Sequence, residues 1–176
     1  MKFYGDIFLL FFQYFPNRLA RSRLPIEIST FVMFRISEDP LDVSALSVGL
    51  EHPKGGAFVT FEGRVRNHSE GKSVETLDYQ AYKPLAEAEG AKIIEEAVER
   101  FDLLVCVCVH RVGHLEIGGL AVWVGVTAAH RAEAFESCRF VIDEVKKRVP
   151  IWKKEKLNSG ESHWVACHDE SASGPT

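Results

Sequence analysis

Two long segments with helical periodicity, each set between pairs of strand-like segments, limit this chain to few architectures. The first runs from Pro84 to about Phe101. Proline stands at its start, Glu87 and Glu89 lie early, and Ile93, Ile94, Ala97 and Val98 form an apolar stripe. The second runs from His130 to about Val149, where Pro150 stops it. Ahead of the first helix, Ala57–Val65 is rich in β-branched and aromatic residues, and Val74–Tyr82 alternates with period two. These two strands are expected to pair as a hairpin across the polar loop Asn67–Lys72. Two buried strands, Leu103–Val112 and Leu120–Ala128, follow, separated by a turn at Gly118 and Gly119. Ile151–Lys156 and Ser162–Ala166 close the pattern. Near the start, Phe34–Ile36 reads as an edge strand, and Asp42 caps a short helix over Val43–Leu50. Strands that come in pairs favour hairpins over β-α-β crossovers. The expectation is an α+β fold with a mostly antiparallel sheet and two long helices.

The flanks read differently. Met1–Val32 holds a short apolar run, Ile7–Phe12, that is too short to span a bilayer. Asp6 precedes it, and Arg18, Arg21 and Arg23 follow it, the wrong order for a secretion signal. The stretch reads as an extension or a start assigned upstream, with a membrane anchor or partner-binding arm as weaker alternatives. The domain is expected over residues 33–166, and residues 167–176 read as a disordered tail. Cys106, Cys108, Cys138 and Cys167 contain no C-x-x-C pair, so buried reduced thiols in a cytoplasmic protein are expected, with no metal and no cofactor.

Charge locates the chemistry. The formal net charge is -4, yet six of the eleven residues from Lys146 to Lys156 are Lys or Arg. Within that run Lys146 and Lys153 flank the apolar segment Val149–Trp152, an arrangement suited to a cationic pocket with apolar walls. A lysine among other cations, partly desolvated, loses proton affinity and becomes fit for acid/base or nucleophilic work. Lys147 and Arg148 read as an exposed helix end favoured by the macrodipole. His130 and Arg131 stand where a buried strand ends and a helix begins, a place that attracts anions. Arg64 and Arg66 share a face if their strand persists, and guanidinium forks suit phosphate oxygens. Trp123 reads as core and Trp152 as pocket wall or interface. His110 reads as a satisfied strand histidine.

Taken together, the segments GAFVTFEGRVRNHSEGK, LDYQAY, HRVGHLEIGG, VWVGVTAAHR and FVIDEVKKRVPIWKKE closely resemble the large, catalytic subunit of molybdopterin synthase. The match runs from about Phe34 to Val165. The resemblance implies an α/β-hammerhead-like α+β fold and a homodimer core. It also implies a small ubiquitin-like sulfur-carrier subunit on each copy, giving a heterotetramer. The implied reaction converts cyclic pyranopterin monophosphate to molybdopterin. Two sulfurs come in turn from the thiocarboxylate on the carrier's C-terminal glycine.

By the same resemblance, Arg66, His130 and Arg131 match positions that bind the substrate. Lys146 matches the lysine nearest the reacting carbons, as acid/base or imine partner, and Lys153 matches a second essential lysine. Arg64, Val65, Lys154 and Glu155 adjoin them. The N-terminal extension departs from the pattern, and His163 stands where some relatives carry Arg. Two other functions compete: a non-catalytic scaffold for a ubiquitin-like carrier, and a nucleic-acid module built on the basic run, which the pI near 6.0 disfavours.

Overall fold

The computed structural model describes residues 31–69 and 71–166. Most of the N-terminal extension and the C-terminal tail lie outside the described residues. Nine strands and three helices follow in the order β1 (Phe31–Ser37), α1 (Val43–Val48), β2 (Ala57–Arg64), β3 (His68–Ser69), β4 (Lys72–Ala81), α2 (Lys83–Phe101), β5 (Val105–Arg111), β6 (Gly113–Glu116), β7 (Leu120–Ala128), α3 (Arg131–Arg148), β8 (Ile151–Leu157) and β9 (Ser162–Ala166). β1 takes in Phe31 and Val32, which pair with Val105 and Cys106.

The strands form two sheets. One has the order β1-β5-β7-β2; the other has the order β3-β4-β8-β9, with β6 also on β4. β1 lies at an edge, as expected, but runs parallel to β5. The other pairings are antiparallel. The hairpin expected between Ala57–Val65 and Val74–Tyr82 does not form. β2 pairs with β7 and β4 with β8, in different sheets. Alternation identified both strands but carried no information about partners, because many pairings present the same apolar face.

Both faces of the first sheet are covered, which explains the unbroken apolar runs of β5 and β7. On one face α2 and α3 pack side by side, burying Ile93, Ile94, Val141 and Val145 against Cys106, Cys108 and Val124. On the other face Leu50 and the residues around α1 cover Val105, Val107, Val109 and the fully buried Trp123. α2 presses close on β1: a Cβ at Gly90 would run into the Phe34 ring. The Asp42 side chain accepts from the Ala45 N–H at 3.1 Å, capping α1 as its position predicts.

The basic run does not stay together. Arg148 leaves α3 toward α2 and donates to Glu89 at 2.7 Å and Glu96 at 2.6 Å, tying the two helices. It is therefore not the solvated helix end that its position suggests. Lys147 pairs with Glu144 and Lys156 with Glu75. In β8, Ile151, Lys153, Glu155 and Leu157 point inward while Trp152 and Lys156 point out.

Candidate active site

The two sheets meet beside the C-terminal end of α3 and leave a cavity of about 480 Å³. The end of β2, the inner face of β4, the end of β5, β7, α3 and β8 all contribute to its lining. Its walls include Tyr79, Val122, Ile142, Val145 and Ile151, and its cations are Arg64, Arg66, Lys146 and Lys153. Four donors in an apolar recess make a trap for a small anion.

Each cation arrives by a separate local rule. Lys146 follows Ile142 by one helical turn, so the helix that buries Ile142 carries Lys146 to the cavity's rim. Lys153 faces inward because it sits two residues after the buried Ile151 on an alternating strand. Lys153 is only 8 % exposed, whereas Lys146 is exposed at the mouth. The buried ammonium has a counter-ion: Lys153 Nζ lies 3.4 Å from Glu155 Oε1, also buried. Such a pair offsets the large desolvation cost of each charge only while both members remain.

Arg64 lies at a bulge, where the register slips between Gly63 and Arg64. Its guanidinium donates to Glu62 Oε2 at 2.6 Å and to the Gly118 carbonyl at 3.0 Å. The strand ends there, and Arg66 lies two residues beyond at the exposed mouth. Between them Val65 is buried and held on both sides: its N–H donates to the Gly119 carbonyl, and its carbonyl accepts from the Gly118 N–H. Gly118 has φ +82°, a conformation that suits glycine and makes this clamp.

Three expected site residues are not in the cavity of this chain. His130 and Arg131 begin α3, and Lys146 is near its end. At 1.5 Å per residue that separates them by about 24 Å. The His130 side chain makes no cap hydrogen bond, and Glu133 already sets a carboxylate against the positive end of the dipole. Lys154 points away from the cavity, with its ammonium 5.9 Å from the centre of the Trp164 ring. Trp152 lies on that same outer face of β8 and is not a pocket wall. Strand alternation makes Lys153 and Lys154 exclusive choices. His163 falls at the β9 position paired with Glu155.

Among the lining residues that escaped the sequence reading are His110 and Tyr79. Their rings meet edge to face with centroids 5.2 Å apart. His110 is the first polar residue after the apolar run of β5 and is still buried, and that break in pattern was the available signal. Burial, reinforced by the nearby Lys146 charge, holds its imidazole down at about 4, although the Arg111 carbonyl works in the other direction. The thiols of Cys106, Cys108 and Cys138 are buried, and burial raises each of them, Cys106 to about 12 and Cys138 to about 11. Among the described residues no cluster of His, Cys, Asp or Glu is arranged to hold a metal ion. Nor is any helix there long and apolar enough to cross a membrane.

The family model described as MoaE protein matches residues 36–148. A molybdopterin synthase catalytic subunit from Thermoplasma volcanium is 42% identical over 137 residues, 78% of this chain and 98% of the relative. The crystal structure of molybdopterin synthase from Staphylococcus aureus superposes with a TM-score of 0.71 at 34% identity, covering 75% of this chain and 96% of that one. A Helicobacter pylori complex of subunits 1 and 2 of molybdopterin-converting factor shares the fold, with a TM-score of 0.62 at 22% identity over 81% of this chain and 93% of that one.

Proposed function

Because this chain belongs to the MoaE family of molybdopterin synthase catalytic subunits, enzymes of molybdenum cofactor biosynthesis, we propose that its cavity receives cyclic pyranopterin monophosphate. The observation that carries this reading is the convergence of Arg66, Lys146 and Lys153 on one recess, from the segment after β2, from α3 and from β8. Guanidinium and ammonium groups suit the phosphate, and the apolar walls suit a fused ring.

Lys146, at the mouth, is the acid/base for sulfur addition or its imine partner. Lys153, held by Glu155, positions the incoming tail or relays protons. The sulfur arrives as the C-terminal thiocarboxylate of a small ubiquitin-like partner subunit. Its sulfur forms a carbon–sulfur bond to the pterin side chain as that carbon's bond to a phosphate oxygen breaks, which opens the cyclic phosphate. The carrier is left as a thioester, and water cleaves its acyl–sulfur bond to give the carrier's carboxylate and a sulfur kept on the pterin side chain. A second carrier repeats the transfer at the neighbouring carbon, whose oxygen leaves as water. The buried thiols of Cys106, Cys108 and Cys138 suit a reaction whose sulfur comes from outside, and free thiols suit the cytoplasm.

His130 and Arg131 enter this reading through a second copy of the chain. Both are exposed at the start of α3, and Phe135 lies one turn on from Arg131 and is 64 % exposed. Phe58, opposite Thr127 in β2, is also exposed. Apolar rings beside a cationic pair form a surface that another copy would cover. Nucleic-acid binding gains nothing from the arrangement, because Lys147, Arg148 and Lys156 are paired with carboxylates and point in different directions.

The test is to mix the purified chain with thiocarboxylated carrier and cyclic pyranopterin monophosphate, and to measure dithiolene product. Lys146→Ala should lower the rate by about 100-fold or more. Normal product formation by that variant would overturn the assignment.

A further inference from the structure

We propose that His110 is a substrate-binding residue of this cavity, an uncharged hydrogen-bond acceptor for a ring N–H of the bound heterocycle. The inference rests on the reading that the cavity takes the pterin substrate. His110 Nδ1 lies 2.8 Å from the Arg111 backbone carbonyl. A carbonyl only accepts, so Nδ1 carries the proton. In the neutral ring Nε2 is then a bare lone pair, and it is the ring nitrogen left to meet a ligand.

The rest of the lining makes such an atom valuable. Arg64, Arg66, Lys146 and Lys153 can only donate. The carboxylates are engaged, Glu62 by Arg64 and Glu155 by Lys153. A ligand that presents an anion to the cations and an N–H from a flat ring needs an acceptor as well, and a buried N–H left unpaired weakens binding. His110 supplies that acceptor among apolar walls, where it counts most. Its ring is held by the Arg111 carbonyl and by the edge-to-face Tyr79. The charged and titratable groups lining the same cavity are Glu62 and Arg64 from β2, Arg66 and His68 after it, Tyr79 from β4, Lys146 from α3, and Lys153 and Glu155 from β8. Burial and the Lys146 charge keep the ring neutral through the physiological range.

Two measurements test this on the full chain with its carrier partner. In a long-range ¹H–¹⁵N spectrum of the free protein, His110 should show the Nδ1–H form. Adding cyclic pyranopterin monophosphate should move the Nε2 resonance toward that of a hydrogen-bonded nitrogen. In turnover, His110→Phe should raise KM about tenfold with kcat little changed, the pattern of lost ground-state binding. His110→Gln places a carbonyl oxygen near the Nε2 position and should recover most of that loss. An Nε2–H tautomer, or an unchanged KM in His110→Phe, would sink the proposal. Should His110→Phe fail to fold, the spectrum decides. If the substrate perturbs Lys146 but not His110, only this inference falls; if it perturbs neither, the reading of the cavity falls with it.

Discussion

The two ends of α3 are a useful contrast. Both carry cations, and both resemble substrate-binding motifs. At the C-terminal end Lys146 enters a formed cavity while its neighbour Arg148 ties α3 to α2. At the N-terminal end His130 and Arg131 stand exposed beside Phe58 and Phe135, with no cavity of this chain around them. One end opens into a cavity of its own chain; the other, in the reading proposed above, serves the cavity of a second copy. A rigid rod of 18 residues cannot bring its own ends together, so any site that uses both must be built from two chains.

The largest expected effect probes that geometry. Arg131→Ala and Lys146→Ala should each lose about 100-fold in product formation. If the site is shared, mixing the two inactive proteins and letting copies exchange should restore about a quarter of the wild-type rate. Half the pairs are then mixed, and each mixed pair holds one intact site. No recovery in a sample shown to have exchanged would break the contrast.

Next comes the cavity end. Glu155→Ala strips the counter-ion from the buried Lys153 and should cost about 3 kcal/mol in urea unfolding, together with most of the activity. A double change, Lys153→Met with Glu155→Leu, should regain stability without regaining activity. If Glu155→Ala unfolds like the wild type, Lys153 is not held as a buried ammonium.

Arg148→Ala should have a smaller effect, lowering Tm by a few degrees while leaving product formation nearly intact, because Arg148 joins helices and does not line the cavity. A large loss of activity would mean that the α2–α3 tie governs the position of Lys146.

The smallest effect lies away from both ends. His114 bridges Glu116 and Asp78, which raise its affinity for a proton above the ordinary 6.5. A raised folded-state value stabilises the fold below the unfolded value and loses that stabilisation as pH rises through the folded one. Thermal stability should therefore decline slightly from about pH 6 to about pH 8, and His114→Gln should flatten the decline. The whole site being elsewhere, product formation by that variant should follow the wild type.

Much of this architecture was readable in one dimension. The boundaries of β7 and β9, the long helices, the Asp42 cap and the stop at Pro150 all follow from periodicity and punctuation, which act over a few residues. The same rules separated Lys146 from Lys147 and Arg148 on the helix. Alternation, applied strictly, also separates Lys153 from Lys154, although the resemblance had placed both beside the substrate.

Strand partners and depth were not readable. β2 left its sequence neighbour β4 for β7, because sheet pairing is decided by which apolar faces can be covered together. Which lysine would be buried, that Glu155 would neutralise it, and that His110 would close one wall depend on atoms brought from residues far apart in the chain. Local patterns set what each segment becomes and which way its side chains point, since those are short-range steric and hydrogen-bonding choices. Long-range packing alone determined which of the charged groups meet, because desolvation and pairing exist only once the sheets and helices have enclosed a common space.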